Sequence, residues 1–373
     1  MYCEKDGNNI FFEKDAKIHE EGEKTDVSHL DVDELKEKLK DRDEMNQYIK
    51  NCKSCENFEL LDYVGYGADS VIYRISMINK KSPQQKQNAT MKLILSKKRN
   101  DKELNISSKL KNKNIINYFG HCILKENEST MLFIEPAKYN NLRVFQTTIL
   151  KRQILSESFL NFITYQILNG IAYLHRCKIA HLDLKPQNLV INEYLEVKII
   201  DFSFSINYRH IKNDTIKLPF CGTNFYMPKE VIKEEIIKIK DLNKIDLYAL
   251  GVILYNMAFG EYPYGLKDED ENDYEKILRK IENEELEMGK KMGFSQLFLD
   301  FLNKLLKKDI NERMNINEAI NHYWVKGSKL LLEEKEKCEI TSIFLRYLLD
   351  NHIKNFNDYL RAESVNLRIY NKE

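Results

Sequence analysis

The sequence predicts an α+β chain in two lobes, a small β-rich one followed by a larger helical one. Three observations predict it. Leu60 to Ala137 reads as strands, with one helix near 100–111. Leu142 to Trp324 reads as helix, interrupted by short strands near 189–200. At 373 residues the chain can bury a large core; that length suggests two or three domains, and one two-lobed domain also fits.

The first 57 residues form a charged extension, read as partly helical or disordered. Within it Asp31 to Lys50 looks like one helix. Asp31 can cap it, Glu34 sits three residues on, and Val32, Leu35 and Leu39 share a face. Next comes Val64-Gly65-Tyr66-Gly67-Ala68-Asp69-Ser70-Val71-Ile72, between strand-like segments. A loop that brings backbone N–H groups close to phosphates needs residues without Cβ, and Gly65 and Gly67 meet that need. Ser70 stands where a third glycine would complete the pattern. A polar loop is expected from Asn79 to Asn88, ahead of Ala89-Thr90-Met91-Lys92. Lysine inside an apolar strand needs a partner, because an unpaired buried charge is costly. Glu103, read as opening the following helix, supplies one.

The run His181-Leu182-Asp183-Leu184-Lys185-Pro186-Gln187-Asn188 packs a carboxylate, an amine and a carboxamide into one loop. Phosphoryl transfer needs a carboxylate to orient a hydroxyl, a cation to neutralise the moving group, and oxygens to hold a metal. Asp201 ends a short apolar strand thirteen residues after Asn188.

These parts, in this order from Gly65 to Trp324, resemble those of eukaryotic protein kinases of the serine/threonine type. The resemblance implies a bilobal kinase fold over 58–325. Its small lobe would run over 58–137 and its large lobe over 138–325, with a helical extension over 326–373. It implies ATP and Mg²⁺ as cofactors. Val64, Gly65, Gly67, Ile72 and Val190 would frame the nucleotide, and Lys92, paired with Glu103, would contact the α- and β-phosphates. The Glu135 carbonyl and the Ala137 N–H would pair with adenine, beside Ile134. Asp183 would be the catalytic base and Lys185 would stabilise the transferring group. Asn188 and Asp201 would hold the metal. Thr223 would bond the base and the lysine, and Glu230 would pair with Arg313.

Several positions depart from the family pattern. Leu182 replaces the arginine that binds an activating phosphate, and Pro219 stands where that phosphate would be carried. Both halves of the switch are missing together, so phosphate there is not expected to be needed. Ser203, Thr90 and Ser107 replace, respectively, the glycine after Asp201-Phe202, a small residue against adenine and an apolar residue of the lobe-bridging stack. Phe204 goes with serine over threonine as acceptor, and neutral Gln187 implies no strong demand for upstream arginine. The departures keep a second class open, a pseudokinase acting as a nucleotide-binding scaffold. A third, a small-molecule kinase, is opposed by the Thr223–Glu230 segment.

Lysine plus arginine balance aspartate plus glutamate at 58 each, so no pull toward nucleic acid or membrane is expected. Leu247 to Phe259 is too short to span a bilayer and reads as a buried helix. The start is too polar for a secretory signal, and seven scattered cysteines suggest reduced thiols. The expected setting is the cytoplasm, with the nucleus as an alternative, and the expected form a monomer acting on protein serine or threonine. Cys52 and Cys55 have zinc-ligand spacing but no second pair nearby. Asp268 to Glu287 reads as a solvated acidic face around a helix near 273–284.

Overall fold

A computed structural model describes residues 31–50, 58–79, 82–95, 97–124, 129–137, 140–144, 157–192, 196–270, 272–286 and 293–326. The Cys52–Cys55 pair and the helices expected after Lys326 lie outside them.

The first lobe is a five-stranded antiparallel sheet in the order β1-β2-β3-β5-β4. Its strands are β1 (Phe58–Gly67), β2 (Ser70–Asn79), β3 (Ser82–Ile94), β4 (Tyr118–Leu124) and β5 (Ser129–Ile134). On β2, Val71, Tyr73, Ile75 and Met77 alternate onto one buried face, opposite Leu93, Met91 and Ala89 of β3. Ile72 and Lys92, also cross-strand neighbours, point to the other face. The interval Asn79–Asn88, expected as a loop, is mostly strand: β2 and β3 stay in register out to Ile78 and Lys86. A ladder uses only backbone groups, so a polar hairpin can extend beyond the core.

The single helix expected over Asp31–Lys50 is two, α1 (Val32–Lys38) and α2 (Arg42–Ile49). Asp31 caps the first by accepting from the N–H groups of Asp33 and Glu34. Asp41 does the same for the second with Asp43 and Glu44. A capping residue takes an extended backbone, so the second aspartate splits the run. Leu39, Met45, Tyr48 and Ile49 are buried in the same apolar cluster as the sheet face. The Tyr73 phenol donates to the carbonyls of Leu39 and Lys40, satisfying groups that the end of α1 leaves free. This part of the extension is thus built into the small lobe, over the face opposite Lys92. The third helix, α3 (Lys97–Ser107), follows β3 and carries Glu103 in its second half rather than at its opening.

The second lobe is organised by α4 (Glu157–Arg176) and α6 (Asn243–Phe259), with α5 (Lys229–Ile232) between them in sequence. Nearly every residue of α6 is buried, so a mostly apolar helix sits at the lobe's centre, with Asp246 among its few buried polar residues. Around it lie α7 (Tyr274–Asn283), α8 (Gln296–Leu305) and α9 (Ile316–Asn321). On α7 only Ile277 and Ile281 are buried, so the helix expected near 273–284 is amphipathic, whereas Asp270 of the acidic stretch is buried and pairs with Lys276 and Lys280 rather than facing solvent. Trp324 packs on Phe298 and Phe301 and donates its indole N–H to Glu157 at the start of α4. Three short antiparallel pairs complete the lobe. They are β6 (Ile179–Ala180) with β9 (Ile206–Asn207), β7 (Leu189–Ile191) with β8 (Val197–Ile199), and β10 (Thr215–Lys217) with β11 (Ile236–Lys238).

Cys177 and Cys221 are free and half-buried, and burial pushes the Cys221 thiol up to about 11. Cys122 is disulfide-bonded, so the expectation of reduced thiols does not hold for it. Among the described residues, no helix is long and apolar enough to cross a membrane.

Candidate functional site

The loop after β6 is pinned from below by Asp246 of α6. Its carboxylate accepts the N–H groups of His181 at 2.9 Å and Leu182 at 2.8 Å, and meets the His175 ring at 2.9 Å. Burial would raise this carboxyl, but the His175 contact and the other donors hold it below its usual value. The anchorage holds a strained turn, since Leu182 has φ 65°. The Leu182 carbonyl lies so near Gly222 that a Cβ there would come within 2.7 Å, and Gly222 itself has φ 112°, so both space and backbone demand glycine.

On this platform the carboxylate of Asp183 is buried among three donors. The Thr223 hydroxyl donates to it at 2.7 Å, the Asn188 side-chain amide at 3.1 Å, and the Lys185 ammonium lies at 2.8 Å. Lys185 also donates to Thr223 at 2.7 Å. With its nitrogen committed to Asp183, Asn188 keeps its amide oxygen for another partner. The Ile200 N–H donates to the Asn188 backbone carbonyl, which sets Asp201 beside this loop.

Lys92 joins the lobes. Its ammonium meets both Glu103 oxygens at 2.8 and 2.9 Å and Asp201 at 3.1 Å. Burial would lower this amine, but the charges of Asp201 and Glu103 outweigh it and hold the ammonium above its usual range. Burial would likewise raise Asp201, yet Lys92 and hydrogen bonds from Ser203 hold that carboxyl well below the ordinary range. For Glu103 burial wins over Lys92, and its carboxyl is pushed up. Asp201 has φ 64°, whereas Ser203 is not among the positive-φ residues, so serine fits without strain where the pattern has glycine.

Gly65, Ile72 and Lys92 form one cross-strand row on the sheet, with Val64 and Gly67 beside it on β1. A Cβ on Gly67 would come within 2.8 Å of the Ser70 hydroxyl. The Glu135 N–H donates to the Asn117 carbonyl at 3.0 Å, and its buried carboxylate pairs with Lys198 at 3.1 Å. Beyond Ala137 the connecting segment bridges to Val190 through Asn141, and Ile134 and Ala137 pack on the large-lobe core that contains Val190. The structure therefore gathers Lys92, Glu103 and Asp201 in one cluster and Asp183, Lys185 and Asn188 in another, linked through the paired strands β7 and β8 and the Ile200–Asn188 backbone bond. Residues 64–72 stand in the sheet beside Lys92, and 135–137 in the lobe connection.

Two features had no sequence signal. The segment after Asp201 is held by a backbone ladder between β10 and β11, extended by Leu218 N–H to the Glu235 carbonyl. Leu182 and Leu218 are buried in one apolar cluster with Met227, Val231 and Ile237. The other is Lys36 of α1, which donates to the carbonyls of Gly67 and Ala68. No spacing rule connects positions so distant in sequence.

The protein kinase domain family model matches residues 58–325. A MAP kinase kinase, MKK1/SSP32, of Saccharomyces cerevisiae is 30% identical over 232 residues, covering 61% of this chain and 44% of its own length. An Aurora kinase of Dictyostelium discoideum is 29% identical over 225 residues, 60% of this chain and 53% of its own. The probable serine/threonine-protein kinase fhkA of Dictyostelium discoideum is 28% identical over 319 residues, 75% of this chain and 52% of its own. The chain spans about half the length of these curated relatives. A domain match over 58–325, on a five-stranded sheet set against a helical lobe, shows that the chain belongs to the eukaryotic protein kinase superfamily.

Proposed function

We propose that the chain transfers the ATP γ-phosphoryl group to serine, and less readily threonine, of protein substrates. The observation that carries this reading is the Asp183–Lys185–Thr223 triangle, assembled on the Asp246 platform. Asp183 orients an incoming hydroxyl and accepts its proton, while Lys185 faces the charge that develops on the moving group. Lys92, positioned by Glu103, holds the α- and β-phosphates. The Asn188 amide oxygen and the Asp201 carboxylate, kept ionised by its neighbours, are hard oxygen donors of the kind magnesium takes, and they fit that ion. Bound there, Mg²⁺ would neutralise phosphate charge. Thr223 and the lysine two residues after Asp183 match the serine/threonine-type arrangement that the chain resembles, which supports an aliphatic alcohol over a phenol as acceptor.

Transfer from γ-labelled ATP to matched peptides bearing serine, threonine or tyrosine tests this. Serine is expected to be labelled fastest and tyrosine not at all. Nucleotide binding without any transfer would instead favour the scaffold reading.

The same reading includes activity without activation-segment phosphate. Leu182, where the arginine would stand, and Leu218, next to the Pro219 that takes the phosphate position, lie in a shared apolar cluster, beside the β10–β11 ladder. Apolar burial and backbone hydrogen bonds need no modification to form. Phosphatase-treated protein is expected to transfer at the untreated rate. Leu218→Ser, which puts a hydroxyl into the cluster, is expected to slow transfer; a strong loss on phosphatase treatment would overturn the idea.

A further inference from the structure

We infer that Lys36, from the N-terminal helix α1, is a positioning residue for the nucleotide, holding the tip of the 65–70 loop in a phosphate-accepting geometry. This rests on the ATP-dependent reading above. The Lys36 ammonium donates to the carbonyl oxygens of Ala68 at 2.7 Å and Gly67 at 3.4 Å, and meets the Asp33 carboxylate at 2.5 Å. An ammonium has three N–H donors, and here each has an acceptor. Lys36 is buried, unlike most lysines on a short surface helix. Tyr66, exposed on the same loop, lies under two cations, Lys40 at 4.8 Å and Lys36 at 5.5 Å from its ring centre.

The peptide geometry turns this contact into a consequence for the cleft. Every described peptide bond is trans, so each C=O points opposite to the N–H that follows it. With the Gly67 and Ala68 carbonyls drawn toward α1, the N–H groups of Ala68 and Asp69 are turned the other way. α1 and α2 cover the sheet face opposite Lys92. On this inference the two N–H groups would face the Lys92 side, where anionic phosphate oxygens would lie, as a pair of adjacent backbone donors. A cation on the carbonyl also polarises the peptide and strengthens the N–H as a donor.

The anchorage of α1 makes the tie a specific one. Tyr73 holds the chain just past α1 by the carbonyls of Leu39 and Lys40, and the Tyr48 hydroxyl meets Ser129 across the sheet. The loop is fixed at its other side by the Leu95 N–H, which donates to the Asp69 carbonyl at 2.8 Å. Three successive carbonyls, those of Gly67, Ala68 and Asp69, are thus engaged, two of them by one side chain.

The test uses the full chain with Lys36→Met and Lys36→Arg. Amide hydrogen exchange over 65–69 is read without nucleotide, and steady-state transfer with varied ATP is read beside it. Lys36→Met is expected to speed exchange in the loop and to raise the KM for ATP about five- to tenfold with kcat nearly unchanged. Lys36→Arg, which keeps charged donors, is expected to restore much of both. Unchanged exchange and unchanged KM in Lys36→Met would overturn the inference. So would an equal fall in kcat and melting temperature that arginine does not rescue, since that marks a packing role alone. If the parent chain transfers no phosphate, the kinase reading fails; the exchange comparison still decides whether Lys36 holds the loop.

Discussion

Asp183→Asn is expected to slow phosphoryl transfer about 10²- to 10⁴-fold, with nucleotide affinity and melting temperature close to the parent's. The substitution keeps the side chain's size in a site that is almost fully buried, so packing changes little. What changes is the chemistry of one atom. The Asp183 carboxylate accepts from Thr223, Asn188 and Lys185. An amide in its place presents one oxygen and two N–H donors, so one of these partners faces a donor instead of an acceptor. The group that would take the hydroxyl proton is also gone. Lys92, Glu103 and Asp201 form a separate cluster, which is why ATP affinity should survive. Single-turnover transfer from labelled ATP, with binding measured in parallel, separates the two effects. Equal incorporation by parent and variant would refute the assignment of the base.

The parts of this site that were legible in the sequence are those in which chemistry fixes several residue types within a few positions. The 181–188 loop and Asp201 are such cases, since proton acceptance, charge neutralisation and oxygen donation each admit few side chains. The buried α6 was legible because thirteen nearly continuous apolar residues can only be a core element at that length. What was not legible depends on backbone groups or on distant partners. The β10–β11 ladder leaves no side-chain signature, because any residue with an N–H and a C=O can extend it. The polar hairpin after Ile78 looks like a loop in the sequence for the same reason. The split between α1 and α2 turned on Asp41, which reads equally well as a solvated helix residue until its capping bonds to Asp43 and Glu44 are seen. The Lys92–Glu103 pair forms, yet Glu103 lies in the second half of α3 and not at its start, since an ion pair constrains distance and not the phase of the helix.

Arg313→Met is expected to destabilise the chain by about 3–5 kcal/mol, the cost of leaving a buried charge without its partner. Arg313 and Glu230 are both almost wholly inaccessible, and the guanidinium meets the two carboxylate oxygens at 2.5 and 3.4 Å. The same guanidinium donates to the carbonyls of Lys307 and Lys244 and lies over the Tyr248 ring, so it is held on every side. Removing it strands the Glu230 carboxylate in a low-dielectric site. Glu230→Leu should be similarly damaging, because it strands the arginine. The double variant Glu230→Leu with Arg313→Met should lose less than the sum of the two, since no unpaired charge remains. Urea unfolding of all four proteins reads this directly. Glu230 lies two residues beyond the 222–228 segment that carries Thr223, so the single variants should also lose transfer activity ahead of global unfolding, as Thr223 loses its seat against Asp183 and Lys185. Single variants as stable as the parent, or a double variant showing the full sum, would mean that the pair is solvated and that the 222–230 segment is held by its apolar contacts alone.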